Sequence, residues 1–353
     1  MLATTLSLIS CAVTVTAWPF SLFGHTFGAP ESKGTPMPLS LTTVNSTLLR
    51  PAQFARAAYC SGASLESWSC GLPCDQVNGV KFLQAGGDQG SIPFYFIAHD
   101  PEQDSIVVAH EGTDPNKILS LVNDVEFLLD DIDESRFPRA AGQGIKVHTG
   151  FQSTFERTAD GILSGVQTAL LSTGASNVLV TGHSLGPGSA GDVDGKHAAR
   201  IARPIRRRDD LHVWDATREE PGVANFVDSN VSPAFVPADV AIDEVAIPGG
   251  VTFMTIQHDP VPNVPPLLFD FAHPSEEIHV VDSSQRSIVC CPGQDNENCI
   301  SGNSLFDISI GDHLGVLKYF PDIPSGLANA PEILLFNSAN AQYFYLEQRT
   351  DEP

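Results

Sequence analysis

The spacing of apolar positions along the chain predicts alternating strands and helices. Two short runs rich in β-branched and aromatic residues, 93–98 and 105–110, lie on either side of a polar turn and predict an antiparallel pair of strands. From Phe151, apolar positions recur with helical spacing as far as Gly174, a residue suited to ending a helix. The apolar run 177–181 follows and predicts a buried parallel strand. This alternation predicts an α/β fold.

The composition supports a large folded core and narrows the choice of partners. Hydrophobic residues make up 42% of the 353 positions, which excludes a chain that is disordered throughout. There are 42 acidic residues and only 19 lysines and arginines, so the formal net charge is −23. Because a phosphate backbone repels such a charge, the composition argues against nucleic acid as a partner.

The first 17 residues have the pattern of a signal peptide. An uncharged, mostly apolar stretch, Leu6 to Thr16, is followed by the small residue Ala17, although no basic segment precedes it. The stretch is too short to span a bilayer, and no later segment reaches about 18 uninterrupted apolar residues. We therefore expect a secreted protein with no stable membrane anchor. The sequons at Asn45 and Asn230 are either glycosylation acceptors or chance matches.

Six of the seven cysteines follow residue 50 and are closely spaced, which is typical of disulfides more than of a metal site. Two pairs lie close together along the chain and are expected to form disulfides: Cys70 with Cys74, and Cys291 with Cys299. Cys60 and Cys290 either pair with each other or remain thiols. The acidic residues at 130–134 lack the spacing of a calcium loop, and we expect neither a metal nor a cofactor.

Composition also divides the chain into segments. Residues 18–47 are rich in Pro, Gly, Ser and Thr and have little periodicity, which predicts a flexible leader before order begins near Leu48. Residues 48–320 are expected to form one domain. Residues 321–353 form a C-terminal tail for which the sequence predicts no defined structure.

A G-x-S-x-G pattern, Gly182-His183-Ser184-Leu185-Gly186, directly follows the predicted buried strand. In such a pattern a sharp strand-to-helix turn lifts the serine hydroxyl clear of the sheet, and the serine backbone is strained. The alternative is a glycine-rich turn with no chemical role. The clean strand before the pattern favours a nucleophile, Ser184.

A serine becomes nucleophilic when a histidine accepts its proton and a carboxylate orients that histidine. Asp259 follows an apolar strand, in a loop that nearby prolines stiffen, and is the candidate carboxylate. His313, in the loop Gly311 to Gly315, is the candidate base. With eleven histidines in the chain, a surface or core position is the alternative for any one of them, so the assignment of His313 depends on Ser184.

Seven motifs together make the chain resemble the fungal secreted lipases of the class 3 family. They are Ala58-Tyr59-Cys60, Val107 to Thr113, Val147 to Phe151, Gly182 to Gly186, Ala224 to Asp228, His258 to Pro266 and Asp312-His313. The resemblance implies an α/β-hydrolase fold, with a mostly parallel central sheet flanked by helices, that cleaves acylglycerol esters at a lipid–water interface. It also implies an oxyanion hole formed by Thr113 and the backbone N–H of Leu185. Taken alone, Thr113 would suit an ordinary turn.

The resemblance further implies a lid between Asp114 and Asp133, a short amphipathic helix that covers the serine in water and swings back at a lipid surface. The apolar positions of the lid are Ile118, Leu119, Val122, Phe127 and Leu128. The alternative is an ordinary amphipathic helix packed on the core.

The chain departs from this family after Gly186. A buried helix is expected behind the nucleophile, but 187–218 is rich in Gly, Pro, Asp and Arg and lacks helical periodicity. This segment is either a solvated basic insertion or an out-of-frame reading, since a one-base shift allows an apolar strand and helix there. Residues 233–250 also exceed the family's usual spacing, and the terminal cysteine that the family pairs with Cys60 is missing.

These patterns predict a secreted serine hydrolase that cleaves acylglycerol esters through an acyl-Ser184 intermediate. The closest alternative is a feruloyl-type esterase on the same fold, distinguished by a polar lid that does not open. Another is a non-enzymatic or misfolded product of a faulty gene model, since 187–218 replaces a helix that should be buried. The sequence does not indicate acyl chain length, positional specificity or oligomeric state.

Overall fold

The computed structural model describes 20–22, 25–27, 34–88, 92–112, 129–137, 141–142, 144–184, 253–263, 273, 277–282, 287–303 and 308–313. Several expectations concern residues outside these ranges: the signal peptide, Thr113, Leu185, the lid positions, the segments 187–218 and 233–250, Asn230 and the tail 321–353.

The described strands and helices are as follows. The strands are β1 (Phe20–Leu22), β2 (His25–Phe27), β3 (Met37–Pro38), β4 (Lys81–Gly86), β5 (Tyr95–Asp100), β6 (Ser105–His110), β7 (Leu129–Asp131), β8 (Lys146–His148), β9 (Asn177–Gly182), β10 (Phe253–Ile256), β11 (Glu277–Asp282) and β12 (Ser287–Cys291). The helices are α1 (Leu41–Ala57), α2 (Gly62–Glu66), α3 (Leu72–Asp75), α4 (Thr149–Thr173) and α5 (Ile310–His313). Short 3-10 turns occur at Val261–Asn263 and Ile300–Gly302.

Two four-stranded sheets organise the described residues, and both are mixed. The first has the order β4-β5-β6-β9, in which β6 and β9 are parallel and the other pairs are antiparallel. The second has the order β10-β11-β12-β3, in which β10 and β11 are parallel and the other pairs are antiparallel. Each of these sheets, within the described residues, contains one parallel and two antiparallel pairs, and the predicted α/β fold class is confirmed.

The first sheet is covered on both faces, which explains why β6 is buried along its whole length. Alternate residues of a strand point to opposite faces. Ile106 and Val108 join the core beneath α4, whereas Val107 and Ala109 join the core that includes the end of α1. The sheet is therefore an apolar layer between two helices. Strand β9, which pairs in parallel with β6, is held within this layer.

The predicted helix and strand before the nucleophile are confirmed. Helix α4 ends at Gly174, whose φ of 74° lies in the left-handed region that glycine adopts without strain. Strand β9 follows and pairs with β6 in parallel, as the apolar run predicted. The antiparallel pair of β5 and β6 is also confirmed, although β5 extends to Asp100.

Order begins earlier than expected. The flexible leader was placed at 18–47, but β3 and the first turns of α1 lie within that range. The Ser40 side chain accepts a hydrogen bond from the Thr43 N–H and so caps α1. Val44 and Leu48 are both buried against the second sheet, which supplies the packing that the composition did not reveal. Asn45, the first sequon, lies inside this helix and is partly buried.

The two disulfides expected from proximity are present, Cys70–Cys74 and Cys291–Cys299. Cys60 is a buried free thiol, so it does not pair with Cys290. Among the described helices, none is both long and apolar enough to cross a membrane.

Candidate active site

Ser184 lies immediately beyond the end of β9, at the turn that the G-x-S-x-G pattern predicted. Its φ is 60°, a left-handed conformation that costs a non-glycine residue of the order of 1–3 kcal/mol. The residue is 1% exposed, so the structure holds the serine in this strained conformation within a packed environment. Such a turn directs the hydroxyl away from the sheet.

The three residues predicted to act together are brought into one hydrogen-bonded chain. His313 Nε2 lies 3.1 Å from Ser184 Oγ. His313 Nδ1 lies 2.9 Å from Asp259 Oδ1 and 3.0 Å from Oδ2. Because Asp259 and His313 are 1% and 0% exposed, the hydrogen bonds among the three side chains are shielded from water.

The loops that carry Asp259 and His313 are fixed to each other. Asp259 follows β10 by three residues, and its Oδ1 accepts a 2.9 Å hydrogen bond from the Val261 N–H. The Ser309 N–H donates a 2.7 Å hydrogen bond to the His258 carbonyl. The short helix α5 follows Ser309 and ends at His313. The backbone next to Asp259 therefore positions Ser309, the residue before the short helix that carries His313.

A second histidine, His183, packs against the first. The ring centroids of His183 and His313 are 4.8 Å apart, and the rings are inclined by 33°. His183 Nδ1 lies 2.5 Å from the hydroxyl of Tyr59. Burial, and to a lesser extent the charge of His313, lowers the pKa of His183 well below its usual value. His183 is therefore neutral at physiological pH.

Gly112 allows the end of the first sheet to approach the nucleophile. A Cβ atom at this position would lie 2.8 Å from the Ser184 Cβ and 2.5 Å from the Tyr59 hydroxyl oxygen, and would overlap the His183 carbonyl oxygen. Real Cβ atoms essentially never come within 3.0 Å of such neighbours. The backbone at Gly112, which precedes the predicted oxyanion residue Thr113, can pass here only because it has no side chain.

The sequence predicted catalytic roles for Ser184, Asp259 and His313, but it indicated no individual role for Tyr59, His183 or Gly112. All three stand in motifs that carry the family resemblance, Ala58-Tyr59-Cys60, Val107 to Thr113 and Gly182 to Gly186. Membership of those motifs was the one available signal, since Tyr59 and His183 are 124 positions apart along the chain. Their contact depends on the tertiary fold.

One cluster has the residue types of a metal site but does not suit a metal. The candidate ligand atoms of Glu277, Cys291 and Cys299 lie within 4.8 Å of one another. Because Cys291 and Cys299 form a disulfide, their sulfur atoms are not thiolates and cannot serve as ordinary metal ligands. The described residues therefore offer no fitting metal site at this cluster.

Comparison with known proteins identifies the relatives of this chain. The model of the class 3 lipase family matches residues 107–191. A secreted mono- and diacylglycerol lipase of Malassezia globosa is 29% identical over 291 residues, which cover 81% of this chain and 85% of that protein. A lipase of Rhizopus niveus is 27% identical over 314 residues, which cover 87% of this chain and 71% of the relative.

Solved structures agree at the level of the fold. The nonglycosylated LIP2 lipase of Yarrowia lipolytica aligns with a TM-score of 0.64 and 22% identity, over 79% of this chain and 95% of its own. Lipase II from Rhizopus niveus aligns with a TM-score of 0.60 and 23% identity, over 80% and 96%. The fold is that of the α/β-hydrolases.

The chain is similar to the class 3 lipases, whose model matches residues 107–191, and the named lipases among its relatives identify it as a carboxylic-ester hydrolase. The predicted resemblance to this family and the predicted enzyme class are thereby confirmed. The similar Malassezia proteins are named as secreted enzymes, which supports the extracellular localisation expected from the N-terminus.

Proposed function

We propose that this protein hydrolyses the ester bonds of acylglycerols through an acyl intermediate on Ser184. The observation that carries the proposal is the buried hydrogen-bonded chain from Ser184 through His313 to Asp259. Support for the substrate class comes from the relatives, several of which are named as mono- and diacylglycerol lipases.

In the proposed first step, Ser184 Oγ attacks the ester carbonyl carbon while its proton passes to His313 Nε2. For this transfer the neutral imidazole must carry its hydrogen on Nδ1, and the 2.9 Å contact with Asp259 Oδ1 favours that tautomer. The Asp259 carboxylate then stabilises the imidazolium that forms. Charge on the former carbonyl oxygen is accommodated by backbone donors, for which Thr113 and the Leu185 N–H remain our candidates.

In the second step the tetrahedral intermediate collapses. The bond between the carbonyl carbon and the alcohol oxygen breaks, and His313 Nε2 returns its proton to that oxygen, so the alcohol leaves and the acyl group stays on Ser184. A water molecule then attacks the acyl carbon while His313 Nε2 accepts its proton. The bond between that carbon and Ser184 Oγ breaks, and His313 Nε2 returns the proton to Oγ, which leaves the free fatty acid and the original Ser184 hydroxyl.

The proposed opening of the lid at a lipid surface can be tested in the same hydrolysis experiments. A lid over positions 118–128 would make hydrolysis faster once a substrate passes from monomers to an emulsion. We expect this increase for di- and triacylglycerols. Equal rates on monomeric and emulsified substrate would remove the lid from the proposal but leave the ester chemistry intact.

The chemical proposal is tested by labelling and hydrolysis. A fluorophosphonate should label Ser184 alone, and Ser184→Ala should be neither labelled nor active. Asp259→Asn should lower kcat by about 10⁴-fold, because the amide favours the wrong imidazole tautomer. Mass spectrometry of the labelled peptide and fatty-acid release from mono-, di- and triacylglycerols are the measurements.

A matched control is Asp100→Asn. Asp100 is also a fully buried aspartate, but it lies at the far end of β5 and forms an ion pair with Arg50. This variant should unfold more easily yet keep its kcat per folded molecule. Labelling that persists in Ser184→Ala, or equal activity losses in the two aspartate variants, would contradict the proposed mechanism.

A further inference from the structure

We propose that the Tyr59 hydroxyl is a positioning group that joins the two backbone segments on either side of Ser184 and holds His183 against His313. This inference rests on the proposed function, since it assigns Tyr59 a role in acyl transfer to Ser184. It concerns a residue that contacts neither the ester nor the reacting atoms in our mechanism.

Tyr59 reaches the site from a separate element. It lies in the turn after α1, and its hydroxyl is 2.5 Å from His183 Nδ1. The same hydroxyl forms a hydrogen bond with the backbone of Gly112. One side-chain oxygen therefore contacts both the segment after β6 and the segment after β9. The pairing of these two strands ends at His110 and Gly182, so the sheet itself does not join the segments beyond that point.

Both side chains that meet at this contact are neutral. Burial raises the pKa of Tyr59 far above its ordinary value, so the phenol is protonated throughout the working range of pH. The backbone bond from Gly112 acts in the opposite, lowering direction, as an N–H donor to the phenol oxygen does. With the Gly112 N–H bonded to its oxygen, Tyr59 still has its own hydrogen to donate, and His183 Nδ1 accepts it in the tautomer that leaves this nitrogen unprotonated. A neutral His183 that accepts at Nδ1 carries its hydrogen on Nε2.

This arrangement affects His313 through packing. The charged or titratable groups around the His183 ring are Tyr59 on one side and His313, itself paired with Asp259, on the other; Glu111 acts on Tyr59. When His313 accepts the serine proton, its positive charge forms beside a neutral ring. A neutral, fixed His183 supports the orientation of His313 without repelling that charge.

The arrangement also affects the predicted oxyanion donors through the backbone. Thr113 directly follows Gly112, and Leu185 follows His183 by two positions. Contact of one hydroxyl with both Gly112 and His183 limits how far the two backbone segments that precede the predicted donors can separate. Such preorganisation is felt mainly in the transition state, where charge develops on the oxygen. Loss of the hydroxyl should therefore lower kcat more than it changes KM.

The test is a double-mutant cycle between Tyr59→Phe and His183→Phe, in which both variants keep an aromatic ring. We expect Tyr59→Phe to lower kcat at least about 10-fold, with KM changed less than about 2-fold, because small displacements of positioned groups are costly. In the His183→Phe background the same substitution should cost much less, because the acceptor is already gone. Rates are measured per active site, by the end point of fluorophosphonate titration, so that misfolded protein is not counted.

Tyr95→Phe is the matched control, since Tyr95 is a buried tyrosine of β5 whose hydroxyl bonds to Gln84. Its kcat should equal that of the parent. An unchanged kcat in Tyr59→Phe, an equal loss in Tyr95→Phe, or additive losses in the cycle would overturn the role of Tyr59 while leaving the ester chemistry in place. Absence of both labelling and hydrolysis in the parent would overturn the proposed function, and the role of Tyr59 with it.

Discussion

The nucleophile and its carboxylate follow strands of two different sheets, which are stabilised in different ways. Ser184 follows β9 of the first sheet, whose faces are covered by apolar residues of α4 and α1. Asp259 follows β10 of the second sheet, which packs apolar residues against α1 and also buries a polar cluster. The comparison teaches that mainly apolar packing positions the strand before the serine, whereas buried hydrogen bonds are added to packing around the strand before the carboxylate.

The polar cluster of the second sheet is made of Thr255, Glu277 and His279. The Thr255 hydroxyl lies 2.5 Å from Glu277 Oε1 and 2.7 Å from His279 Nδ1. Glu277 Oε1 also accepts a 3.1 Å hydrogen bond from the Ile300 N–H, next to the Cys291–Cys299 disulfide. Since Thr255 is four residues before Asp259, the cluster links the strand beneath the carboxylate to the disulfide loop.

The largest effect is expected where packing positions the serine, at Gly112. In Gly112→Ala the new methyl group would press on the Ser184 Cβ, the Tyr59 hydroxyl and the His183 backbone. We expect kcat to fall by about 100-fold or more, since displaced oxyanion donors alone cost that much, and the midpoint of thermal unfolding to fall as well. Kinetics per titrated active site and thermal unfolding are the measurements.

The matched control for Gly112→Ala is Gly62→Ala. A Cβ at Gly62 would meet the Phe94 ring at 3.6 Å, an ordinary contact. This variant should keep the parent's kcat and stability. A Gly112→Ala enzyme with normal kcat would show that the serine does not depend on this close approach.

A moderate effect distinguishes the two disulfides. Replacing both Cys291 and Cys299 with Ala, or both Cys70 and Cys74, should lower the free energy of unfolding by about 2 to 3 kcal/mol, since both loops are short. Only the first pair adjoins the loop whose Ile300 N–H holds Glu277, so only that variant should also lower kcat per active site. Denaturant unfolding and kinetics measure the two effects. Equal kcat values in both variants would remove the disulfide from the support of Asp259.

The smallest effect concerns a buried histidine in each sheet, His110 in the first and His279 in the second. Burial lowers the pKa of each to about 3. Between pH 6.5 and about 3 the histidine is protonated in the unfolded chain but remains unprotonated in the native protein. The free energy of unfolding therefore falls as the pH falls through this window, by at most about 1.4 kcal/mol per pH unit for each histidine.

Substitution by phenylalanine should separate these two histidines. Neither ring nitrogen of His110 has a hydrogen-bond partner within the described part of the chain, and its ring stacks on Tyr95. His110→Phe should therefore keep its stability at pH 7 and lose less of it at pH 5 than the parent does. His279→Phe removes the contact with the Thr255 hydroxyl and should be destabilised by about 1 to 3 kcal/mol even at pH 7. Urea unfolding at both pH values is the measurement, and identical pH slopes in the parent and His110→Phe would contradict the assignment.

Local patterns in the sequence were sufficient for the elements around the nucleophile. Helical spacing and Gly174 predicted α4, and the apolar run after it predicted β9. The G-x-S-x-G pattern predicted the strained backbone at Ser184. These features depend on neighbours within one or two turns of chain, so a sequence displays them directly. The leader was misjudged because α1 is stabilised by the second sheet, which no local pattern shows.

The sequence by itself determined the class of enzyme, the short-range disulfides and the three residues proposed to carry the chemistry. Only the tertiary structure decided that His313 and Ser184, 129 positions apart, lie 3.1 Å from each other, and that Tyr59 reaches His183. The physical reason is that periodicity, caps and turns are set by adjacent residues. Contacts between distant segments depend on the order and direction in which the strands pair.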